Sequence, residues 1–500
     1  MRLIPVFIIF LISLFTGGPS SADTLDAGRY FEENVVEKKL PNGITLLMLN
    51  RGYSPTLSMR ISFGVGSADE SYNNIGAAHI LEHMLFKGTD SIGTTDFEKE
   101  KKILGRIEAI GETIDRLKLQ NPSHSSLPVL ERELQELQKE QSLYTVSSPY
   151  DKIYTEKGGI GLNASTSKDM TGYYVQLPSD QIELWARVES ERFRKPVLRE
   201  YYRERDNVIE ERLMRTESSG NGLLSEAFFA AAYSAHPYRH PVIGWASNIK
   251  YMSIHDIRRF YREFYIPSRM TITVVGKQDT DETYRIVEKY FKDIKPGADP
   301  GEIKIIEPAQ AGEKRIEVFF RSQPFIIMGW KKPAYPDQVD YVFDVISTSL
   351  GDGKSSQLYR SLVLDKKIAS SVYTWNGAPG ARYNNMFLIY AAPAAGYTPE
   401  ELEKAVYEEI ALFRKNITSA ELERVKNISE SSFMFMMDSN ESIARSLSYY
   451  QTVLKEWRYL TRYIEGIKRV TVEDVQSAID TYIKTKNRTV GILRDERGEE

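Results

Sequence analysis

Gly76-Ala-Ala-His79-Ile-Leu-Glu82-His83-Met-Leu-Phe86 is an apolar segment that carries three ionisable side chains. On a helix, residues i and i+4 lie one above the other, so His79 and His83 can grip one metal ion from one face. Glu82, three residues after His79, points the same way. There it can take a proton from a water polarised by the ion and pass it to a leaving amine. The order is H-x-x-E-H, the reverse of the commoner H-E-x-x-H. With 6 His in 500 residues, chance produces on the order of 0.007 such matches. The bland alternative is two helix histidines beside a solvated Glu, and the apolar flanks argue against it.

Any such ion is held without thiolates. The chain has no cysteine, which excludes disulfide scaffolds, Cys-zinc fingers, iron–sulfur clusters and thiolate nucleophiles. A third ligand must then be a carboxylate or a distant His. The best candidate stretch is Glu204-Arg-Asp-Asn-Val-Ile-Glu210-Glu211. Glu204 and Glu211 are seven apart, two helical turns, and so share a face. One ligand with a second carboxylate behind it, orienting a ligand imidazole, fits that spacing. By itself an acidic stretch is more often a solvated helix face.

Composition places the chain among ordinary globular proteins: 41% hydrophobic and 27% charged residues, with a mean hydropathy of −0.39. The length predicts two to four domains. Lys+Arg 65 against Asp+Glu 69 gives no reason to expect nucleic acid as a partner. Met1-Arg2, the apolar run Leu3 to Thr16, the Gly17-Gly18-Pro19 break and Ser20-Ser21-Ala22 have the layout of a signal peptide over residues 1–22. The expected destination is the periplasm, with no transmembrane segment left after cleavage.

Beyond the leader, Glu37 to Leu47 reads as strand, Pro41-Asn42-Gly43 turn and strand. Further strands are expected at 57–65, 173–177 and 270–276, and helices at 179–193, 198–215, 253–265 and 280–291. Residues 101–150 read as an inserted hairpin of two amphipathic helices around Asn121 to Ser126. A Pro- and Gly-rich linker, 295–314, follows the first domain, 33–294. The order then recurs over 315–495: strands at 315–320 and 325–330, helices at 338–349 and 355–364, a strand at 385–392, then helices to 483. The expected class is α+β, two similar domains, each a mostly antiparallel sheet packed against helices.

These segments are similar to those of the pitrilysin/insulinase family of zinc peptidases, in its half-length, mitochondrial-processing-peptidase-like branch. His79 to Thr89 resembles that family's zinc helix and following turn, Asn163-Ala-Ser-Thr166 its N-A-x-T segment, and Glu204 to Glu211 its E-R-x-x-x-x-x-E element. His236 to Gly244 and Phe260 to Pro267 also fit, and the likeness runs from about 35 to 490. The resemblance implies one Zn2+ per chain on His79, His83 and Glu211, with Glu82 as general base and Glu204 supporting a ligand histidine. Glu210 is the fallback ligand if the register slips. It further implies an edge strand at 160–166 on which a peptide substrate is held at Asn163 and Ala164.

The second half departs from the family pattern. Active relatives carry an Arg and a Tyr, seven apart, after a Gly-rich turn with Ser-Ser, and these steady the substrate and the oxyanion. Here the turn is Gly351 to Ser356, and the two positions fall on Val363 and Ser370. The expected function is a zinc endopeptidase of peptides or unfolded segments that brings the metal half of a dimeric chamber. A homologous subunit would supply Arg and Tyr, with a homodimer as the milder alternative. A non-catalytic assembly subunit of the same fold is the rival reading, against which the intact His79, Glu82 and His83 set argues.

Overall fold

A computed structural model describes residues 21–496. The expected signal peptide lies outside them except for Ser21 and Ala22, which begin helix α1 (Ser21–Asn34). No helix among the described residues is long and apolar enough to cross a membrane.

The first sheet contains β1 (Val35–Lys39), β2 (Thr45–Asn50), β3 (Thr56–Phe63), β4 (Ile160–Thr166), β5 (Thr171–Pro178) and β6 (Met270–Gly276), in the order β1-β2-β6-β3-β5-β4. The Pro41-Asn42-Gly43 turn joins β1 and β2 with Gly43 at φ 104°, a conformation glycine adopts without strain. The second sheet contains β7 (Lys314–Phe319), β8 (Phe325–Lys332), β9 (Ala369–Ala378), β10 (Asn385–Pro393) and β11 (Arg488–Arg494), in the order β7-β11-β8-β10-β9. With β1 set aside, the two sheets repeat one pattern. In each, the outermost pair, β2 with β6 and β7 with β11, is parallel, and every other pairing is antiparallel. The α+β architecture of two similar, mostly antiparallel sheets is therefore correct. Strands β9 and β11 were not expected, and 359–365, expected as ordinary helix, is a wide helical turn.

The two halves exchange helices. The 220–232 helix, from the first half, lies on the second sheet, with Leu224 and Phe228 packed among Ile327, Met386, Leu388 and Leu493. The 440–454 helix, from the second half, crosses β3 and β6, where the Ser62 and Ser448 hydroxyls meet at 2.7 Å in a buried contact. Each sheet thus carries helices from both halves, and β6, in the interior of the first sheet, is buried along its whole length. Phe31, Leu47, Leu49 and Val275 join Phe433, Leu447, Trp457 and Leu460 in a third core between the halves. Truncating one such buried aromatic costs about 3–5 kcal/mol. The Met-rich stretch 433–437 packs against this core.

The 295–313 segment has no regular structure, yet it is anchored. Glu307 accepts from the backbone N–H of Ser234, Ala235 and His236 at 2.8, 2.9 and 3.0 Å and from Lys331 at 2.7 Å. The hairpin consists of α3 (Phe97–Gln120) and α4 (Leu127–Ser142). Ile103, Ile107, Ile114 and Leu137 are buried there, and the guanidinium of Arg205 grips Asp115 at 2.6 and 2.9 Å.

Candidate metal centre

Helix α2 (Ala77–Met84) presents His79, Glu82 and His83. It starts at Gly76, φ 102°, which packs against Gly244, φ 91°. A Cβ on Gly76 would lie 2.9 Å from the Ile243 carbonyl oxygen, so both glycines are required by the close approach of two backbones. Glu70 caps the helix, accepting from the N–H of Gly76 at 2.9 Å and of Ala78 at 2.8 Å. Burial pushes its carboxyl up to about 8 despite those two bonds.

The 201–212 helix, packed against α2, brings the carboxylates. Donor atoms of His79, His83 and Glu211 all lie within 4.8 Å of one another. Nε2 of His79 and of His83 stand 3.7 and 3.5 Å from Oε2 of Glu211. Donors around a tetrahedral zinc at about 2.0–2.2 Å are roughly 3.3–3.6 Å apart, so the two His–Glu211 separations are close to those of a zinc site. Burial, with His83 and Arg215 adding, lowers the His79 pKa to about 3, which keeps its imidazole neutral and able to ligate. Glu210 is exposed and outside this cluster.

Glu204 lies behind His83, its Oε1 accepting from Nδ1 at 3.0 Å, which leaves Nε2 facing the other donors. Lys87 reaches the other Glu204 oxygen at 2.6 Å and Asn207 donates to it at 3.3 Å. Against burial, the bonds from His83 and Lys87 hold Glu204 down at about 2, and Glu204 in turn raises His83. Burial raises the Glu82 carboxyl, opposed by the hydrogen bond from the Thr166 hydroxyl at 2.5 Å. Arg215, one turn beyond Glu211, holds its Oε1 at 3.0 Å. The helix widens just there, over 213–217.

His79, Glu82, His83, Thr166, Glu211 and Arg215 line a cleft of about 870 Å3 together with Asn163, Ala164, Phe229 and His240. β4 forms its wall and is the edge of the sheet, paired on one side to β5 and unpaired on the other. Thr166, Lys87 and Arg215 were not singled out from sequence. Thr166 closes the N-A-x-T segment and Lys87 follows His83 by one turn, and those spacings are the local signals for them. In the second half, Val363 packs against the core of that domain and the Ser370 hydroxyl accepts from Gln323 at 3.0 Å. Neither residue lines the cleft.

Fold and donor set define a two-repeat α+β chain with an H-x-x-E-H cluster able to hold a metal ion. Residues 46–114 and 145–245 match the family model for insulinase (peptidase family M16), and residues 251–429 match that for the peptidase M16 inactive domain. The chain belongs to the insulinase, or M16, peptidase family. The matches leave out 115–144, the outer part of the hairpin. Zinc protease PqqE of Helicobacter pylori is 25% identical over 464 residues, 91% of each chain. A crystal structure of a protease from Helicobacter pylori superposes with a TM-score of 0.77 at 25% identity, covering 92% of this chain and 99% of that one. The periplasmic protease PqqL from Escherichia coli shares the fold, with a TM-score of 0.68 at 15% identity, over 93% of this chain and 48% of that one.

Proposed function

We propose that this chain is a zinc-dependent endopeptidase of peptides or unfolded polypeptide segments, exported to the periplasm. It would supply the metal-bearing half of a chamber closed by a second, homologous subunit. The observation that carries this reading is the convergence, in one cleft, of three zinc-compatible donors, an adjacent carboxylate and an unpaired strand edge. A zinc ion on His79, His83 and Glu211 would supply Lewis acidity to the scissile carbonyl and to water.

The chain's own residues do the remaining work. Glu82, held by Thr166, takes the proton of the attacking water and delivers it to the leaving amine. Its raised carboxyl pKa makes it a stronger base than a solvated Glu. The outer edge of β4 holds the substrate backbone as an added strand, with Asn163 and Ala164 beside it. An extended chain can be held this way and a folded domain cannot. The signal layout of residues 1–22 supports export. The absence of Arg and Tyr from positions 363 and 370 supports a partner chain that brings them, and a homodimer working at reduced rate is the simpler variant of that assembly.

The test is zinc stoichiometry and peptide hydrolysis for the chain alone and with a homologous subunit, each with Glu82→Gln. The expected outcome is one zinc retained and hydrolysis down at least 100-fold in the variant, the usual scale for removing a general base. A metal-free, inactive wild type would favour the assembly subunit, and an active Glu82→Gln chain would remove Glu82 from its role. Full activity of the lone chain, unchanged by a partner, would sink the division of labour.

A further inference from the structure

We propose that a second pocket, on the flank of α3, binds a small single-chain anionic amphiphile, a carboxylate or phosphate ester on a hydrocarbon tail. The pocket has a volume of about 530 Å3 and lies between the first half of α3, the 194–198 turn and the 254–264 helix. It shares no lining residue with the metal cleft.

Its floor is apolar and its rim cationic. Phe97, Leu104, Val197, Leu198 and the ring of Tyr261 form the floor, and the Tyr261 hydroxyl donates to the Phe193 carbonyl at 2.6 Å. Lys101, Arg194, Lys195, Arg258 and Arg262 stand around it. Glu108 is the acid in the lining, and it is bound to Arg258 through both oxygens, while Lys195 pairs with Asp90 at 3.1 Å. Among the described residues no ion pair engages Lys101, Arg194 or Arg262. In a chain of net charge −4, this concentration of free cations over an apolar floor is local.

Gly105 is an independent observation. It lies mid-helix in α3, where glycine is disfavoured more than any residue except proline. A Cβ there would meet nothing within 4 Å, whereas a Cβ on Gly111 of the same helix would run into the Tyr202 ring. Packing therefore explains glycine at 111 and not at 105. Gly105 lines the pocket, and what its missing side chain keeps open is the pocket itself. The volume is within the roughly 300–1,000 Å3 of small-ligand sites. A bare phosphate would leave the apolar floor uncovered, and a neutral lipid would leave three cations unused. A head group met by charge-assisted bonds and a short tail along the floor satisfies both.

The test is calorimetric titration of the mature chain with decanoate, decyl phosphate, decanol and inorganic phosphate. The expected result is saturable one-to-one binding of decanoate or decyl phosphate, the tighter of the two identifying the head group. Decanol and inorganic phosphate should bind at least tenfold more weakly. Arg194→Glu with Arg262→Glu, both exposed, should weaken the anionic probe at least tenfold and flatten its salt dependence. Gly105→Leu should abolish binding while raising Tm, and Glu82→Gln should bind as wild type, so the outcome is independent of the peptidase reading. Equal affinity for decanol and decanoate, or an affinity unmoved by the Arg194 and Arg262 changes, would overturn the proposal. So would adsorption to anionic vesicles without one-to-one binding of the monomeric probes.

Discussion

Glu204→Gln removes one negative charge behind the metal donors and keeps the shape of the side chain. The wild-type carboxylate takes the Nδ1–H of His83 at 3.0 Å and Lys87 at 2.6 Å, and these contacts outweigh burial in holding it ionised. An amide oxygen can still accept from His83, but the bond loses its charge assistance. That difference, about 1.5–3 kcal/mol for a bond to a charged group against 0.5–1.5 for a neutral one, is about 1–1.5 kcal/mol. Zinc affinity should therefore fall roughly 5- to 15-fold. Glu204→Ala leaves Nδ1 without its partner and should approach the 100-fold loss seen when such outer partners are removed. Competition with a chromophoric chelator at pH 7.5 measures both. The sign with pH is also set. Glu204 raises the His83 pKa above its usual 6.5, so a proton competes for His83 and wild-type affinity declines as pH drops below that raised value. In Glu204→Gln the decline should begin at lower pH. Unchanged affinity in both variants, or a larger loss for Gln than for Ala, would refute the positioning role.

Two further outcomes rest on other contacts. Asn163→Ala removes one polar group from the cleft wall and should raise KM with kcat little changed, lowering kcat/KM about 2- to 13-fold for one neutral hydrogen bond; a pure kcat effect would show that Asn163 does not hold ground-state substrate. Glu307→Gln releases the linker anchor. Hydrogen bonds from Lys331 and the 234–236 backbone, against burial, depress Glu307 to about 2, so its contribution is complete above about pH 4.5 and lost as pH falls toward 2. The Tm gap between wild type and variant should correspond to about 1–2 kcal/mol at pH 7 and close by pH 2–3, and a gap that stays constant with pH would assign it to packing.

Local chemistry was legible in the sequence and long-range geometry was not. The H-x-x-E-H face needs only the 3.6-residue period, and the β1–β2 hairpin only its Pro-Asn-Gly turn. β9 escaped notice because its large residues face outward, Tyr373 43% and Trp375 60% exposed, so its alternation is inverted from that of a core strand. β11 shows no alternation because the 220–232 helix covers the face that would otherwise be solvated. The 359–365 turn has helix-like apolar spacing, and a wider hydrogen-bond step leaves that spacing unchanged. Glu204 and Glu211 were read from a shared helix face together with a family likeness. Thr166 closes the N-A-x-T segment, but its partner Glu82 lies 84 positions away in the chain, so the segment marks the residue and not the contact.

The repeated strand order gives α2 a counterpart, and the counterpart explains why one zinc is expected. α2 follows β3, and the 338–351 helix follows β8, the equivalent strand. This helix carries Asp340 and Asp344, four apart as His79 and His83 are on α2. Its carboxylates are already partnered: the buried Lys332 pairs with Asp340, and Asn376, on the edge strand β9, donates to Asp344 at 2.8 Å. Burial together with Asp340 pushes Asp344 up to about 7, so near neutral pH it is only partly ionised. A zinc ion there would find no imidazole and would have to displace a lysine from its partner, whereas His79 and His83 offer two imidazoles converging on a carboxylate. In the second repeat the carboxylates of this helix are taken up by internal pairing. Zinc stoichiometry should therefore be one per chain, fall to zero in His79→Ala with His83→Ala, and stay at one in Asp344→Asn. Two zinc ions in the wild type, with one lost in Asp344→Asn, would show that the counterpart helix still holds metal.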